Sequence, residues 1–340
     1  MIVLTEEKIT DLKALLEASS RVAVLGHTHP DGDALGSTTA LCLFLKELMG
    51  KDVACLFSDT PPENLQVLLA AGIPYFFYDQ QPQEAVQAIE QADLTILLDA
   101  NAFNRTDALM HPLQQSSARK VLIDHHLNPD TPSFDLVFST PDISSASELL
   151  YWILKALGWT PGPGIGDSLL AGMTTDTNNF ANSVYPSTLR MASELIEAGV
   201  DRDAILQKIY WSYRENRVRL MGYMQSKRLN ILPGGAAYMV LTRRIQDRYE
   251  LHEGESEGLV NVPLTIEKVR LSVLVKEDGQ YWRVSIRSKK GTSAQNLAMR
   301  YFHGGGHENA AGGKIFPGQD YVRSEGIRSY LERILNEYLP

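Results

Sequence analysis

Six short apolar runs recur between residues 21 and 138: Arg21–Leu25, Val53–Phe57, Tyr75–Tyr78, Leu94–Leu98, Val121–Ile123 and Leu136–Phe138. Helical patterns lie among them, at Pro62–Ala71 and Gln83–Gln91. Short apolar strands alternating with helices predict an α/β fold, here a doubly wound, mostly parallel N-terminal sheet. In such sheets ligands bind beyond the carboxyl ends of the strands.

Those ends carry a repeated chemistry. Arg21–Leu25 runs into Gly26-His27-Thr28-His29-Pro30-Asp31-Gly32-Asp33, and a helical run, Ala40–Leu48, follows. Gly26, Gly32 and Gly36 let the backbone turn tightly and approach a ligand, and Pro30 stiffens the turn. Leu94–Leu98 ends at Asp99. Val121–Ile123 ends at Asp124, His125 and His126. The apolar stretch Leu169–Thr175 ends at Asp176. A carboxylate after an apolar run is often only a helix cap. Imidazole and carboxylate recurring together suit Mn²⁺ or a related divalent ion better than a thiolate-preferring metal. His27, Asp31, Asp33, Asp99, His125 and Asp176 are too many ligands for one octahedral ion that also keeps water. Two ions sharing a carboxylate fit better.

The 340 residues allow about two domains. At 44% hydrophobic, the chain can build real cores. Its first residues lack the basic and apolar regions of a signal peptide, and a helix capped at Thr5 is expected. No apolar run is long enough to span a membrane. Cys42 and Cys55 sit inside apolar runs and read as core residues in a reducing compartment; a cytoplasmic protein is expected. A net charge of −9 argues against general nucleic-acid affinity. One window offsets it: Arg283, Arg287, Lys289, Lys290, Arg300 and Lys314 share their stretch with a single acid, Glu308.

No G-x-G-x-x-G follows the first strand, and Pro161–Gly166 lacks the Lys and Ser/Thr of a P-loop. It reads as a connector after a helix at Ser147–Trp159. Ser187–Leu229 is strongly helical, broken by Gly199 with Asp201 as the next cap; Trp211 and Tyr213 read as packing residues. Asp247–Glu257 reads as a solvated acidic face. Strands are expected at Ala236–Thr242, Val269–Lys276 and Tyr281–Arg287, with a hairpin turn at Asp278-Gly279. A helix at Ala294–Tyr301 should lead into Gly304–Gly312, with Ala310-Ala311 opening another helix whose N-terminus favours anions. The expected division is 1–186 for a catalytic domain, 187–229 for a helical connector and 230–340 for a smaller α/β domain.

HTHPDGDALGS, LLDAN, LIDHH and GMTTDTNNF resemble, in order, the four motifs of the DHH phosphoesterase superfamily. GGGHENAAG resembles the signature of the DHH-associated C-terminal domain. Within the superfamily the chain is most similar to the nanoRNase / pAp-phosphatase group. That resemblance implies two divalent ions, Mn²⁺ with Mg²⁺ as the alternative. His27 and Asp31 would hold the first, Asp33 and His125 the second, and Asp99 and Asp176 would bridge or complete the pair. Asp124 would orient a ligand, and His126 would face the substrate phosphate; His29 has no assignment. Arg287, Ser288, Gly304, Gly305, Gly306 and His307 would bind the phosphate and nucleotide end away from the metals. Arg105, six residues after Asp99, reads equally as a substrate contact or as a surface arginine.

The implied reaction is hydrolysis by a metal-activated water of short single-stranded RNA to mononucleotides, and of pAp to AMP. Long duplexes and membranes are not expected partners, and a homodimer stays open. Rival readings are hydrolysis of linear or cyclic dinucleotides (pApA, pGpG, cyclic-di-AMP), an exopolyphosphatase-like activity, or a nucleotide- or RNA-binding module with a lapsed site.

Overall fold

The computed structural model describes residues 4–211, 213–322 and 324–339. The chain forms two compact units, Met1–Ser212 and Tyr213–Pro340. The helical stretch 187–229 is divided between them.

The first unit runs α1 (Glu6–Ala18), β1 (Arg21–Leu25), α2 (Gly32–Leu43), β2 (Asp52–Phe57), β3 (Tyr75–Phe77), α3 (Pro82–Glu90), β4 (Leu94–Leu98), α4 (Met110–Gln115), β5 (Arg119–Asp124), β6 (Leu136–Ser139), α5 (Ala146–Ala156), α6 (Ile165–Asp176), α7 (Pro186–Glu197) and α8 (Arg202–Tyr210). Thr5 caps α1, and Asp201 caps α8 after the left-handed Gly199. The six strands form one parallel sheet in the order β3-β2-β1-β4-β5-β6. One core, with α2, α5 and α6, covers one face; a smaller core, with α3 and α4, covers the other. The doubly wound α/β expectation is met. Strand order reverses between β1 and β4, and at such a switch point the adjacent loops part and leave a crevice.

α2 starts at Gly32, before the expected apolar run, because Asp31 caps it: Asp31 Oδ1 accepts from the amides of Asp33 and Ala34 at 3.0 and 3.1 Å. Every residue of α2 is buried. The glycines expected to approach a ligand serve packing instead. A Cβ on Gly26 would strike the ring of Phe57, one on Gly32 would strike Thr175, and one on Gly36 would lie 2.8 Å from the Cα of Gly172 on α6. Gly32 and Gly36 let α2 pack closely on α6. The Pro62–Ala71 helix is instead a 3₁₀ turn at Glu63–Leu68 that buries only Leu65, too little apolar surface to sustain an α-helix. Trp211, expected to pack, is 72% exposed.

The second unit runs α9 (Glu215–Tyr223), β7 (Asn230–Ile231), β8 (Ala236–Leu241), α10 (Arg243–Arg248), β9 (Leu271–Asp278), β10 (Tyr281–Ser288), α11 (Ala294–Tyr301), β11 (Gly305–His307), β12 (Ala310–Ile315) and α12 (Gly326–Tyr338). Its mixed sheet has the order β11-β12-β10-β9-β8-β7, with β8 and β9 parallel. Ala310-Ala311 do not open a helix. They begin β12, which pairs antiparallel with β10 and β11, so the glycine-rich segment is a hairpin. The acidic stretch is knitted in rather than merely solvated: Glu255 is buried and sits 3.7 Å from Arg214, while Glu253 pairs with Lys276 and Arg283. Among the described residues no helix is long and apolar enough to cross a membrane.

Candidate metal centre

The loops after β1 and β4 meet at the switch point, and the end of β5 lies beside them. His27 follows β1. Asp99 follows β4 in a left-handed conformation (φ 56°) that non-glycine residues seldom adopt. Asp124 ends β5, and His125 and His126 come next. The fourth expected element is a helix, not a strand: Asp176 is the last residue of α6. A carboxylate there meets the negative end of the helix dipole, which a cation would offset.

The side chains form three overlapping groups, each with its donor atoms within 4.8 Å of one another: His27-Asp31-Asp99, Asp33-His125-Asp176 and Asp99-His125-His126. Asp99 links them. Its Oδ2 lies 3.4 Å from His27 Nε2, and its Oδ1 lies 3.3 Å from His125 Nε2 and 3.7 Å from His126 Nδ1. His125 Nε2 is also 3.7 Å from Asp176. All six expected ligands are therefore brought together. His29 is not among them; its side chain is 73% exposed.

The surroundings orient these donors. His27 Nδ1 donates to the Thr28 carbonyl at 2.7 Å, which turns Nε2 toward Asp31 and Asp99. His126 Nδ1 donates to Asp124 at 2.7 Å, and its amide donates to the same carboxylate at 3.0 Å. Asp33 accepts from the amides of Ala146 and Ser147 at the start of α5, at 2.6 and 3.0 Å. That helix start is fixed by buried Glu148, which accepts from Ser144 and from Thr188. Sequence reading missed Glu148 and the α5 amides, because their partners are remote in the chain. It also missed Asp59, although Val53–Phe57 too is followed by a carboxylate.

Electrostatics mark the cluster as cation-seeking. Burial, with Asp99 and Asp176 nearby, raises the pKa of Asp33 well above the usual carboxylate range. Burial, together with Asp99 and Asp31, pushes Asp176 up to about 7 against the opposing effect of His125. Burial opposes charge on His125, but Asp99, Asp33 and Asp176 outweigh it and push the imidazole up to about 10. His27 is likewise raised by Asp31 and Asp99 against burial. Asp99 is held low by His125 and His27 despite its burial. Asp99 Oδ1 is nevertheless buried without an aligned hydrogen bond from any described residue. An orphaned carboxylate oxygen facing two imidazoles fits a divalent cation.

In the second unit, Arg287 pairs across the sheet with Ala310, which pairs in turn with His307. The side chain of His307 lies outside the described residues. The half-buried Arg287 guanidinium donates to the Ile286 carbonyl at 2.9 Å and makes no ion pair among the described residues; burial lowers its pKa. Ser288 is buried, donating to the Thr292 carbonyl and accepting from Asn309. Glycine at 304 and 306 is required by close backbone: a Cβ there would strike Gly312 and Ala310. At Gly305 a Cβ would meet nothing within 4 Å. Much of the expected basic window is internally engaged: Arg283 with Asp278, Arg300 with Glu337, Lys289 with backbone carbonyls. Arg105 has an exposed side chain, and its carbonyl accepts from the Thr28 amide at 2.7 Å.

Comparison with known proteins gives the family. The DHH family, N-terminal domain, matches residues 21–175, and the DHHA1 domain matches residues 235–325. The chain is 26% identical over 336 residues to the bifunctional oligoribonuclease and PAP phosphatase NrnA of Bacillus subtilis (strain 168), covering 97% of this chain and 99% of that protein. It is 29% identical over 315 residues to the protein of the same name from Thermus thermophilus, covering 91% and 89%. A crystal structure of an exopolyphosphatase-related protein from Bacteroides fragilis matches with a TM-score of 0.92 and 31% identity, over 100% of this chain and 98% of that one. The chain belongs to the DHH family of phosphoesterases, with the DHH domain in its first unit and the DHHA1 domain in its second.

Proposed function

We propose that the protein hydrolyses short oligoribonucleotides to mononucleotides and pAp to AMP, using two divalent ions, Mn²⁺ or Mg²⁺. The observation that carries this reading is Asp99, a buried carboxylate shared by two donor groups with one oxygen toward each. His27, Asp31 and Asp99 would hold one ion; Asp33, His125 and Asp176, together with Asp99, would hold the other. Two such ions supply charge stabilisation at phosphoryl oxygens and a more acidic water. The α5 amides hold Asp33 in place, so little reorganisation is needed when metal enters. With Nδ1 of His126 engaged by Asp124, its Nε2 is the ring nitrogen left to face a phosphoryl oxygen. The half-buried Arg287 of the second unit suits a phosphate of the substrate. Cys42 and Cys55 are buried free thiols, which supports a reducing, cytoplasmic setting.

Polyphosphate hydrolysis is the second reading, because the Bacteroides fragilis protein is described as exopolyphosphatase-related. The test is turnover with Mn²⁺ on pAp, an RNA trimer, an RNA 24-mer, pApA, cyclic-di-AMP and polyphosphate, side by side. Rapid loss of trimer and pAp with the 24-mer spared is expected. Activity confined to polyphosphate or to the dinucleotides would replace the proposed substrates.

A further inference from the structure

We propose that Asp59, on the loop after β2, is a positioning residue for the metal centre, acting through Thr28 on the tautomer of His27. The inference rests on His27 being a ligand, as proposed above. Asp59 Oδ2 accepts the Thr28 hydroxyl and, at 2.7 Å, the amide of His29. The Thr28 amide donates to the Arg105 carbonyl at 2.7 Å, so residue 28 is held on two sides, from the loops after β2 and β4. Held there, the Thr28 carbonyl receives the Nδ1 proton of His27 at 2.7 Å. A histidine with Nδ1–H so engaged keeps Nε2 deprotonated and aimed, as a metal ligand must.

The same carboxylate fixes the unusual backbone here. His29 is left-handed at φ 52°, a conformation costly for a residue with a Cβ. Its amide would lose a charged acceptor if Asp59 were removed, and the Thr28 peptide would be released to turn. The imidazole of His27 is buried beneath this segment, so a turned carbonyl would leave Nδ1 without its acceptor. Asp59 is itself partly buried and outside all three donor groups. Its effect on metal is therefore transmitted through Thr28, not by coordination.

The experiment measures Mn²⁺ affinity by calorimetry on wild type, Asp59→Ala, Asp59→Asn, Thr28→Val and the Asp59→Ala/Thr28→Val double variant. Melting of each chelated protein and the Mn²⁺ dependence of turnover are recorded beside it. Losing a hydrogen-bond partner that orients a metal ligand weakens binding about 10- to 100-fold. Asp59→Ala should show that loss, with kcat at saturating Mn²⁺ near wild type. Asp59→Asn keeps one acceptor oxygen and should recover part of the affinity. Thr28→Val should weaken binding alone but add nothing in the Asp59→Ala background. A variant that melts lower yet binds Mn²⁺ like wild type would show a merely structural role and overturn the inference. Wild-type protein that binds no Mn²⁺ would overturn the ligand assignment, and the Asp59 role with it.

Discussion

Replacing Asp99 by Asn is the most incisive perturbation of the site. The two side chains are nearly isosteric, so packing is preserved and only the shared charge is lost. In metal-free protein Asp99 lies 2% exposed between the Nε2 atoms of His27 and His125, at 3.4 and 3.3 Å. At pH 6 both imidazoles hold their protons, His125 because its pKa is about 10. Removing one member of a buried charged pair costs about 3–5 kcal/mol. For a unit of this size each kcal/mol is about 2–4 °C, so the chelated variant should melt roughly 6–20 °C below wild type. Mn²⁺ should widen the gap. A ligand at a hundred times its Kd adds about 2.7 kcal/mol to the protein that binds it and nothing to the one that does not. The assay is scanning calorimetry at pH 6 of both proteins, chelated and then with Mn²⁺. An Asp99→Asn protein with wild-type melting and a wild-type Mn²⁺ shift would refute the shared-carboxylate reasoning.

Metal-free protein should lose stability as pH rises. Asp176 at about 7 and His125 at about 10 both bind protons more tightly than in the unfolded chain. The Asp176 contribution fades between its unfolded value near 4 and pH 7, and that of His125 between about 6.5 and 10; chelated melting followed from pH 5 to 10 should fall, and a rise would contradict it. Gly172→Ala places a Cβ against the Ser147 hydroxyl and 3.0 Å from Asp33 Oδ1, so it should cost about 1–3 kcal/mol of stability and weaken Mn²⁺ binding in calorimetry. Gly305→Ala meets nothing, so melting should move by less than about 0.5 kcal/mol while KM rises if the hairpin binds phosphate. Arg287→Ala should raise KM for pAp about 10- to 100-fold, the worth of a charged hydrogen bond, with kcat little changed in steady-state kinetics.

The parallel sheet was legible because β1, β4 and β5 each carry a short, mostly apolar run soon followed by polar residues. The metal donors were legible for a related reason, since they cluster within a few residues after an apolar run. What the sequence concealed was long-range. Asp33 is held by amides 113 and 114 residues away, and no local pattern marks Ala146 or Ser147 as their source. The glycines around α2 looked like ligand-approach glycines, because a helix crossing at Gly36 and Gly172 cannot be read from either helix alone. The helix expected at Ala310 failed on the same ground: small residues suit a strand sandwiched between β10 and β11 as well as a helix start, and pairing decides. Trp211 misled because aromatic residues usually pack, whereas this one stands exposed at the end of α8.

Phosphoester hydrolysis that depends on metal held by these donors is tested most directly by titrating Mn²⁺ into chelated protein while bound metal and RNA-trimer hydrolysis are followed together. Turnover should be absent at zero metal and reach its plateau at two bound ions per chain. Hydrolysis that persists without metal, or is complete at one ion, would contradict the two-ion centre built around Asp99.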